Sequence, residues 1–124
     1  MKNKIKTLVI EDNEDNWIAI KSNLKKVADC IRAVSVKEGI SFFEQNEVDL
    51  VILDLQLPGE PGLNFVEIIK ADPLKLDVPI FVCTASIQPE LKTEALSLGC
   101  KGFISKPFTR KEILYLLRDY LPHE

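Results

Sequence analysis

Residues 50–59 have the sequence Leu50-Val51-Ile52-Leu53-Asp54 followed by Leu55-Gln56-Leu57-Pro58-Gly59. A short apolar run bounded by proline and glycine predicts a strand that is buried on both faces of a parallel sheet. Asp54 then lies at the carboxyl end of that strand, where an open α/β sheet forms its ligand-binding crevice. Taken alone, the run favours an aspartate that only caps the following loop. Whether Asp54 instead belongs to a ligand site depends on the residues that follow the other strands.

Four further segments have the composition of strands, and each of the five strands precedes a segment with helical spacing of its apolar residues. Strands are predicted at 5–10, 30–36, 48–54, 78–83 and 102–105. Helices are predicted from about 14 to 28, from a capping box at Ser35 and Glu38 through Phe43, at 63–70, at 89–98 before Gly99, and at about 110–120 after a second capping box at Thr109 and Glu112. This alternation predicts an α/β, doubly wound parallel sheet with helices on both faces.

Some apolar side chains can be assigned to the core from their spacing. In the first helix Trp17, Ile20, Leu24 and Val27 form one stripe, and in the last helix the inward residues are predicted to be Ile113, Leu116, Leu117 and Tyr120.

The length of 124 residues suits a single domain over residues 1–124. A net charge of −3 favours neither nucleic acid nor a membrane surface as a direct partner. No apolar stretch is long enough to cross a bilayer, and the N-terminus has no secretory signal, so a cytoplasmic location is expected. The starting Met1 and the Pro-His-Glu ending favour a stand-alone protein over a fragment of a larger one.

The cysteines and the histidine exclude several kinds of site. Cys30, Cys83 and Cys100 are odd in number and widely spaced, so reduced thiols that act as small hydrophobes are expected. The only histidine, His123, is next to the C-terminus. A Ser/His/Asp triad, a Cys/His pair and a histidine-based zinc site are therefore not expected.

Polar residues follow four of the five predicted strands. Strand one is followed by Glu11 and Asp12, strand three ends on Asp54, strand four is followed by Thr84 and strand five by Lys106, whereas strand two contributes nothing distinctive. In the flavodoxin-like order 2-1-3-4-5, these four strands are contiguous and strand two lies at the edge. The polar residues are therefore expected to line one crevice.

The motifs at these strand ends are Val-Ile-Glu-Asp-Asn at 9–13, Leu-Asp-Leu-Gln-Leu-Pro-Gly at 53–59, Thr-Ala-Ser at 84–86 and Lys-Pro-Phe at 106–108. Their types, order and spacing resemble the CheY-like receiver domain of response regulators in two-component signal transduction, over essentially the whole chain. The resemblance implies a flavodoxin-like (βα)5 fold.

The residues themselves are compatible with binding of a divalent cation and with phosphorylation of a carboxylate. Three carboxylates in one pocket repel one another, and a hard divalent cation such as Mg²⁺ relieves the repulsion. A carboxylate can also act as a nucleophile and form an aspartyl phosphate.

The resemblance assigns a role to each residue. It implies that Asp54 is the phospho-acceptor, and that Mg²⁺ is held by Asp12, by Glu11 through water, by Asp54 and by the backbone carbonyl of Gln56. Lys106 matches the phosphate-binding lysine, with a cis bond to Pro107. Thr84 matches the switch hydroxyl, and Phe103 matches the aromatic residue whose rotamer follows phosphorylation, although simple core filling is an equally good interpretation of Phe103.

The implied function is that of a signalling domain and not an enzyme, beyond catalysis of its own phosphorylation and dephosphorylation. A sensor histidine kinase or a histidine phosphotransfer protein is expected to supply the phosphoryl group. A downstream protein target is expected to bind the surface formed by the fourth helix, fifth strand and fifth helix. The protein is expected to be a monomer or a phosphorylation-dependent dimer.

Three alternative functions compete with this interpretation. A nucleotide- or flavin-binding module needs a glycine-rich loop after a strand, and the loop after strand one has four acids and no glycine. A haloacid-dehalogenase-like phosphatase needs a second aspartate at the position of Gln56. A receiver-like docking module that is never phosphorylated is disfavoured by the full set of polar residues, and it stays open.

Overall fold

The computed structural model describes residues 3–75 and 77–122, and these residues contain a five-stranded, fully parallel sheet with helices on both faces. The strands are β1 (Ile5–Ile10), β2 (Ala28–Ala33), β3 (Leu50–Leu53), β4 (Ile80–Thr84) and β5 (Gly102–Ser105). Their order across the sheet is β2-β1-β3-β4-β5. The predicted flavodoxin-like order 2-1-3-4-5 is confirmed.

The helices alternate with the strands, as the sequence predicts. They are α1 (Glu14–Leu24), α2 (Val36–Gln45), α3 (Leu63–Lys70), α4 (Pro89–Ser97) and α5 (Arg110–Leu116), and a 3₁₀ turn spans Pro73–Lys75 between α3 and β4. No helix in the described ranges has the length and hydropathy needed to span a bilayer. Met1 and His123 lie outside the described residues.

Strand β3 is buried on both faces because it contributes side chains to two separate cores. Val51 and Leu53 pack in the core beneath α2, α3 and α4, whereas Leu50 and Ile52 pack in the core beneath α1 and α5. The prediction for residues 50–53 is therefore confirmed, and β3 provides a rigid support for the residue that follows it.

Helix ends are where the local sequence signals were most accurate. The side chain of Asn13 accepts a hydrogen bond from the N–H of Asn16, and that of Ser35 accepts one from the N–H of Glu38. The predicted capping box at Ser35 is incomplete, because the Glu38 carboxylate accepts from the N–H of Val34 and not from that of Ser35. Thr109 and Glu112 form the predicted reciprocal capping box. The helix stop at residue 99 is also confirmed, since Gly99 has a φ of 107°, which only glycine adopts without strain.

The boundary between α1 and β2 was predicted wrongly. Helix α1 ends at Leu24 instead of residue 28, and β2 spans Ala28–Ala33 instead of 30–36. Ala28 pairs with Ile5 at the start of β1, so sheet pairing extends the chain where the apolar spacing still favours helix. At the other end of β2, Ser35 is already the cap of α2.

The inward face of α5 was predicted correctly except for one residue. Ile113 and Leu117 are fully buried, and the ring of Tyr120 packs edge-on against Phe81 with centroids 5.8 Å apart. Leu116, by contrast, is 38% exposed and is not a core residue. Helix α5 ends at Leu116 and not at about residue 120 as predicted, and Ile113 and Leu117 are its i, i+4 pair in the core beneath α1 and α5.

The three cysteines are free thiols in the structure, as expected. Burial raises the pKa of Cys83 to about 12 and those of Cys30 and Cys100 to about 11. These thiols are therefore protonated at neutral pH and pack as small apolar groups.

Gly62 at the start of α3 approaches the backbone after β3 closely. A Cβ atom at this position would lie 2.8 Å from the carbonyl oxygen of Asp54 and 2.9 Å from the Cα of Leu55. Both atoms belong to backbone, so neither can move aside without shifting the residues that follow β3.

We expect Gly62→Ala to lower the free energy of unfolding by about 1–3 kcal/mol, because the added methyl group overpacks this contact. Urea denaturation would measure the loss. Gly59→Ala is the matched control, since nothing lies within 4 Å of the corresponding Cβ there and only the cost of its positive φ applies. Equal stability of Gly62→Ala and the wild type would contradict the prediction.

Candidate functional site

Three carboxylates meet at the carboxyl edge of the sheet. Glu11 and Asp12 directly follow β1, and Asp54 directly follows β3. The two strands are neighbours, and the backbone N–H of Asp54 donates to the carbonyl of Ile10 over 2.9 Å. One oxygen from each carboxylate lies within 4.8 Å of the others. The parallel register therefore brings these acids together, as the sequence predicts.

The three acids differ in burial. Glu11 is only 1% exposed and Asp54 only 5% exposed, whereas Asp12 is open to solvent. Buried carboxylates need hydrogen bonds or a nearby positive charge. The exposed Asp12 places the cluster at the surface, where an ion or a small ligand can reach it.

Lys106 supplies the positive charge. It directly follows β5, and its Nζ lies 2.7 Å from Oε1 of Glu11 and 3.3 Å from Oδ2 of Asp54. Its backbone N–H donates to the carbonyl of Thr84 over 3.0 Å, which ties it to the end of β4. The bond between Lys106 and Pro107 is cis, as the resemblance implies.

Two backbone N–H groups complete the hydrogen bonding of the buried acids. The N–H of Asn13 donates to Oε2 of Glu11 over 3.2 Å, and the N–H of Gln56 donates to Oδ1 of Asp54 over 3.0 Å. Each oxygen of Glu11 and of Asp54 thus has one donor. The proposed ligand role of the Gln56 carbonyl stays a prediction.

Burial and the neighbouring charges both shift the pKa values of Glu11 and Lys106. Burial raises the pKa of Glu11, and the charge of Asp54 adds to that effect, while the hydrogen bond from Lys106 opposes it without cancelling it. Burial lowers the pKa of Lys106, but the hydrogen bond to Glu11 and the charges of Asp54 and Glu11 outweigh burial, so the net shift is upward. One ammonium therefore faces more negative charge than it neutralises.

This excess negative charge fits a hard divalent cation. Mg²⁺ binds through one or two carboxylates and keeps several waters, and the cluster offers two buried carboxylates and one exposed carboxylate. Among the described residues, Glu11, Asp12 and Asp54 are the acidic group that could hold such an ion.

Thr84 and Phe103 lie on the two strands next to the site. Thr84 is the buried last residue of β4, and its hydroxyl donates to the carbonyl of Ser86 over a long 3.4 Å. Phe103, on β5, is half-buried and packs against the core beneath α2, α3 and α4, with Nζ of Lys92 5.3 Å from its ring centre. The switch roles of both residues stay predictions.

Sequence reasoning missed one residue that contacts the acidic loop. Arg32, near the end of β2, donates from Nε to the carbonyl of Glu11 and from Nη2 to that of Asp12, both over 3.0 Å. The sequence feature that points to this contact is a charged residue near the carboxyl end of a strand that is predicted to lie beside β1. In the sequence, Arg32 shows itself only as a charged residue that interrupts the apolar run of that strand.

Comparison with known proteins identifies the kind of domain. Residues 7–118 match the family model described as the response regulator receiver domain. The phosphate regulon transcriptional regulatory protein PhoB of Pseudomonas aeruginosa is 29% identical over 119 residues, which are 94% of this chain and 52% of PhoB. The hybrid signal transduction histidine kinase G of Dictyostelium discoideum is 33% identical over 96% of this chain, which corresponds to 4% of that kinase. The chain spans about half or less of these relatives.

Among solved structures, the fold is similar to that of chemotaxis protein CheY4 of Vibrio cholerae. The TM-score is 0.88, the sequence identity is 23%, and the match covers 96% of this chain and all of CheY4. At this identity the structural similarity supports only the fold. The assignment to the receiver domain family rests on the family model and the motifs.

The ion pairs of Lys106 generate a stability prediction. Lys106→Met leaves two buried carboxylates without their cation, so we expect the free energy of unfolding near neutral pH to fall by roughly 3 kcal/mol. Removing the cation takes away the groups that hold the pKa of the Glu11 carboxyl down, so that pKa rises further. A carboxyl whose pKa is higher in the folded than in the unfolded state costs stability as the pH rises. The loss should therefore shrink between about pH 7.5 and pH 5.

Urea denaturation at the two pH values, without divalent ions, would measure this effect. Lys37→Met, at an exposed position on α2, is the control for removal of a lysine charge. A loss in Lys106→Met that is independent of pH would show that the carboxylates are not its cause.

Proposed function

Because the chain belongs to the response regulator receiver domain family, we propose that Asp54 accepts a phosphoryl group and that the domain thereby switches its contacts with other proteins. The family is a signalling domain and not a classical enzyme. The observation that carries the proposal is the position of Asp54, which is buried at the end of the central strand with Glu11 and Asp12 on one side and Lys106 on the other.

The proposed chemistry is a transfer onto a carboxylate oxygen. One oxygen of Asp54 attacks the phosphorus of a phosphohistidine, a P–O bond forms, and the P–N bond of the donor breaks with its electron pair going to the imidazole nitrogen. The N–H of Gln56 and the ammonium of Lys106 each hold one oxygen of Asp54, so the carboxylate has a defined orientation before the donor arrives.

Two groups are suitably placed to bind the transferred phosphoryl oxygens. Lys106 already reaches Asp54, and its raised pKa keeps it cationic at neutral pH. The hydroxyl of Thr84 makes only a long hydrogen bond, to Ser86, and giving that bond up costs little. We assign both residues to the binding of the phosphoryl group.

The proposed cofactor is Mg²⁺, held by the carboxylates of Asp12 and Asp54, by Glu11 through water and by the backbone carbonyl of Gln56. When bound, the ion neutralises charge on the transferring phosphoryl group. The excess of negative charge over the single ammonium of Lys106 supports this assignment.

The surface proposed to change on phosphorylation is formed by α4, β5 and α5. Thr84 is the last residue of β4, and β5 pairs with β4 so that Phe103 lies opposite Val82. A movement of Thr84 therefore occurs two residues along the strand from the partner of Phe103. A cavity of about 300 Å³ on this surface is lined in part by Phe103, Phe108 and Tyr115, and Tyr115 is 62% exposed. These apolar groups suit contact with a protein partner.

The proposed partners follow from the chemistry of the donor. A sensor histidine kinase or a histidine phosphotransfer protein supplies the phosphoryl group, and a downstream protein target binds the α4-β5-α5 surface, with no direct contact to nucleic acid. We further propose one receiver domain over residues 1–124, a cytoplasmic location, a monomer or phosphorylation-dependent dimer, and catalysis by the domain of its own phosphorylation and dephosphorylation.

Incubation with acetyl phosphate and Mg²⁺ is expected to add one phosphoryl group, measured by intact mass. The addition should be absent without Mg²⁺ and absent in Asp54→Asn, because that variant lacks the nucleophilic oxygen. Asp29→Asn, at an exposed position on β2, is the matched control and should be phosphorylated normally. No gain of mass in folded wild-type protein would instead favour a docking module that is never phosphorylated.

Thr84→Ala is expected to retain phosphorylation of Asp54 but to lose the structural response. Amide NMR spectra recorded before and after treatment with acetyl phosphate and Mg²⁺ would measure it at residues 102–105 and 110–116. Thr84→Ser, which keeps the hydroxyl, should behave as the wild type does. Spectral changes of wild-type size in phosphorylated Thr84→Ala would exclude the proposed role of the hydroxyl.

A further inference from the structure

We propose that Arg32 is a positioning residue for the cation site, which holds the loop between β1 and α1 so that the carboxylates of Glu11 and Asp12 converge beside Asp54. The inference rests on the proposed function of that site. Arg32 lies on β2, the edge strand whose carboxyl end carries none of the site residues predicted from the sequence.

The contacts of Arg32 are concentrated on one loop. Its Nε donates to the carbonyl oxygen of Glu11 over 3.0 Å, its Nη2 donates to that of Asp12 over 3.0 Å, and its Nη1 lies 3.1 Å from Oε1 of Glu14. All three guanidinium nitrogens therefore bind the loop and the first residue of α1. The Arg32 side chain is only 22% exposed, which limits competition from water.

These bonds fix the backbone from which the two carboxylates project. The N–H of Glu11 donates to the carbonyl of Ala33 over 2.9 Å, so the loop is also tied to β2 from its donor side. Hydrogen bonds to two successive carbonyls orient two successive peptide groups, and the Cβ positions of Glu11 and Asp12 follow from that orientation. Removing the guanidinium releases both carbonyls to solvent.

The shape of the side chain matters in this arrangement. A guanidinium presents five N–H donors in a rigid planar fork, and here it serves three acceptors from three residues. A lysine ammonium is a compact charge at the end of a flexible chain and cannot span the same acceptors. Arg32→Lys therefore keeps the charge and loses the geometry.

Electrostatics alone predicts the opposite effect, so the two explanations can be separated. A positive charge near a cation site weakens cation binding, and its removal should strengthen binding. The ion pair with Glu14 reduces that repulsion in the wild type. If Arg32 acts by positioning, both Arg32→Lys and Arg32→Met weaken Mg²⁺ binding; if only its charge matters, Arg32→Lys has no effect and Arg32→Met binds more tightly.

The experiment is a calorimetric titration of the whole chain with Mg²⁺ as the ligand. We expect the Kd for Mg²⁺ to rise by about tenfold or more in Arg32→Lys and in Arg32→Met, the range seen when residues that orient metal ligands are removed. Arg118→Lys is the matched control, because Arg118 is an exposed arginine on the C-terminal side of α5, and its Kd should equal that of the wild type.

A second measurement separates positioning from a general loss of structure. Phosphorylation by acetyl phosphate is followed at increasing Mg²⁺, and we expect the half-saturating Mg²⁺ concentration to rise about tenfold while the rate at saturation changes by about twofold or less. A merely structural role would lower the saturating rate and leave the half-saturating concentration unchanged. If Arg32→Met does not fold, as judged by circular dichroism, Arg32→Lys alone decides.

The outcomes distinguish this inference from the proposed function. Wild-type protein that binds no Mg²⁺ would overturn the metal site and the inference together. Wild-type protein that binds Mg²⁺, with an unchanged Kd in Arg32→Lys, would overturn the role of Arg32 and leave the proposed function intact.

Discussion

The site depends on the contact between the ammonium of Lys106 and the buried carboxylates of Glu11 and Asp54. Without a positive charge, two nearly inaccessible carboxylates so close together would not both be ionised. One lysine makes the arrangement possible but leaves the cluster with more negative than positive charge, and burial together with the charge of Asp54 raises the pKa of Glu11 despite the hydrogen bond from Lys106. The same shortage of positive charge makes the cluster suitable for a divalent cation and for a phosphoryl group that such a cation accompanies.

The parallel sheet supplies the geometry for this contact. Strands β1, β3, β4 and β5 are contiguous, and all end at the same edge. Buried strands with fixed register cannot slip by one residue, because a slip would turn every apolar side chain to the other face. The residues that follow the strands are therefore held in place by the two cores, and Gly62 allows the start of α3 to approach the backbone behind Asp54.

Support for the site also comes from the edge of the sheet that carries no predicted site residue. Arg32 on β2 binds the backbone of the acidic loop, while Lys106 binds the carboxylate of Glu11 from the opposite side of β1. The loop between β1 and α1 is thus held from both directions. Glu11 contributes its side chain to the ion cluster and its carbonyl to Arg32, which couples the cluster to the edge strand.

The sequence by itself determined the alternation of strands and helices, the buried central run at residues 50–53, the helix caps at Asn13, Ser35 and Thr109, and the set of polar residues at the strand ends, whereas the strand order was implied by the resemblance to receiver domains. These features depend on apolar runs, turn residues and short motifs, which are local and leave a signal in the sequence. The start of β2 was placed wrongly because the pairing of Ala28 with Ile5 overrides helical spacing. Only the tertiary structure decided that Leu116 is exposed and that Arg32 reaches the acidic loop, since both depend on how distant elements pack together.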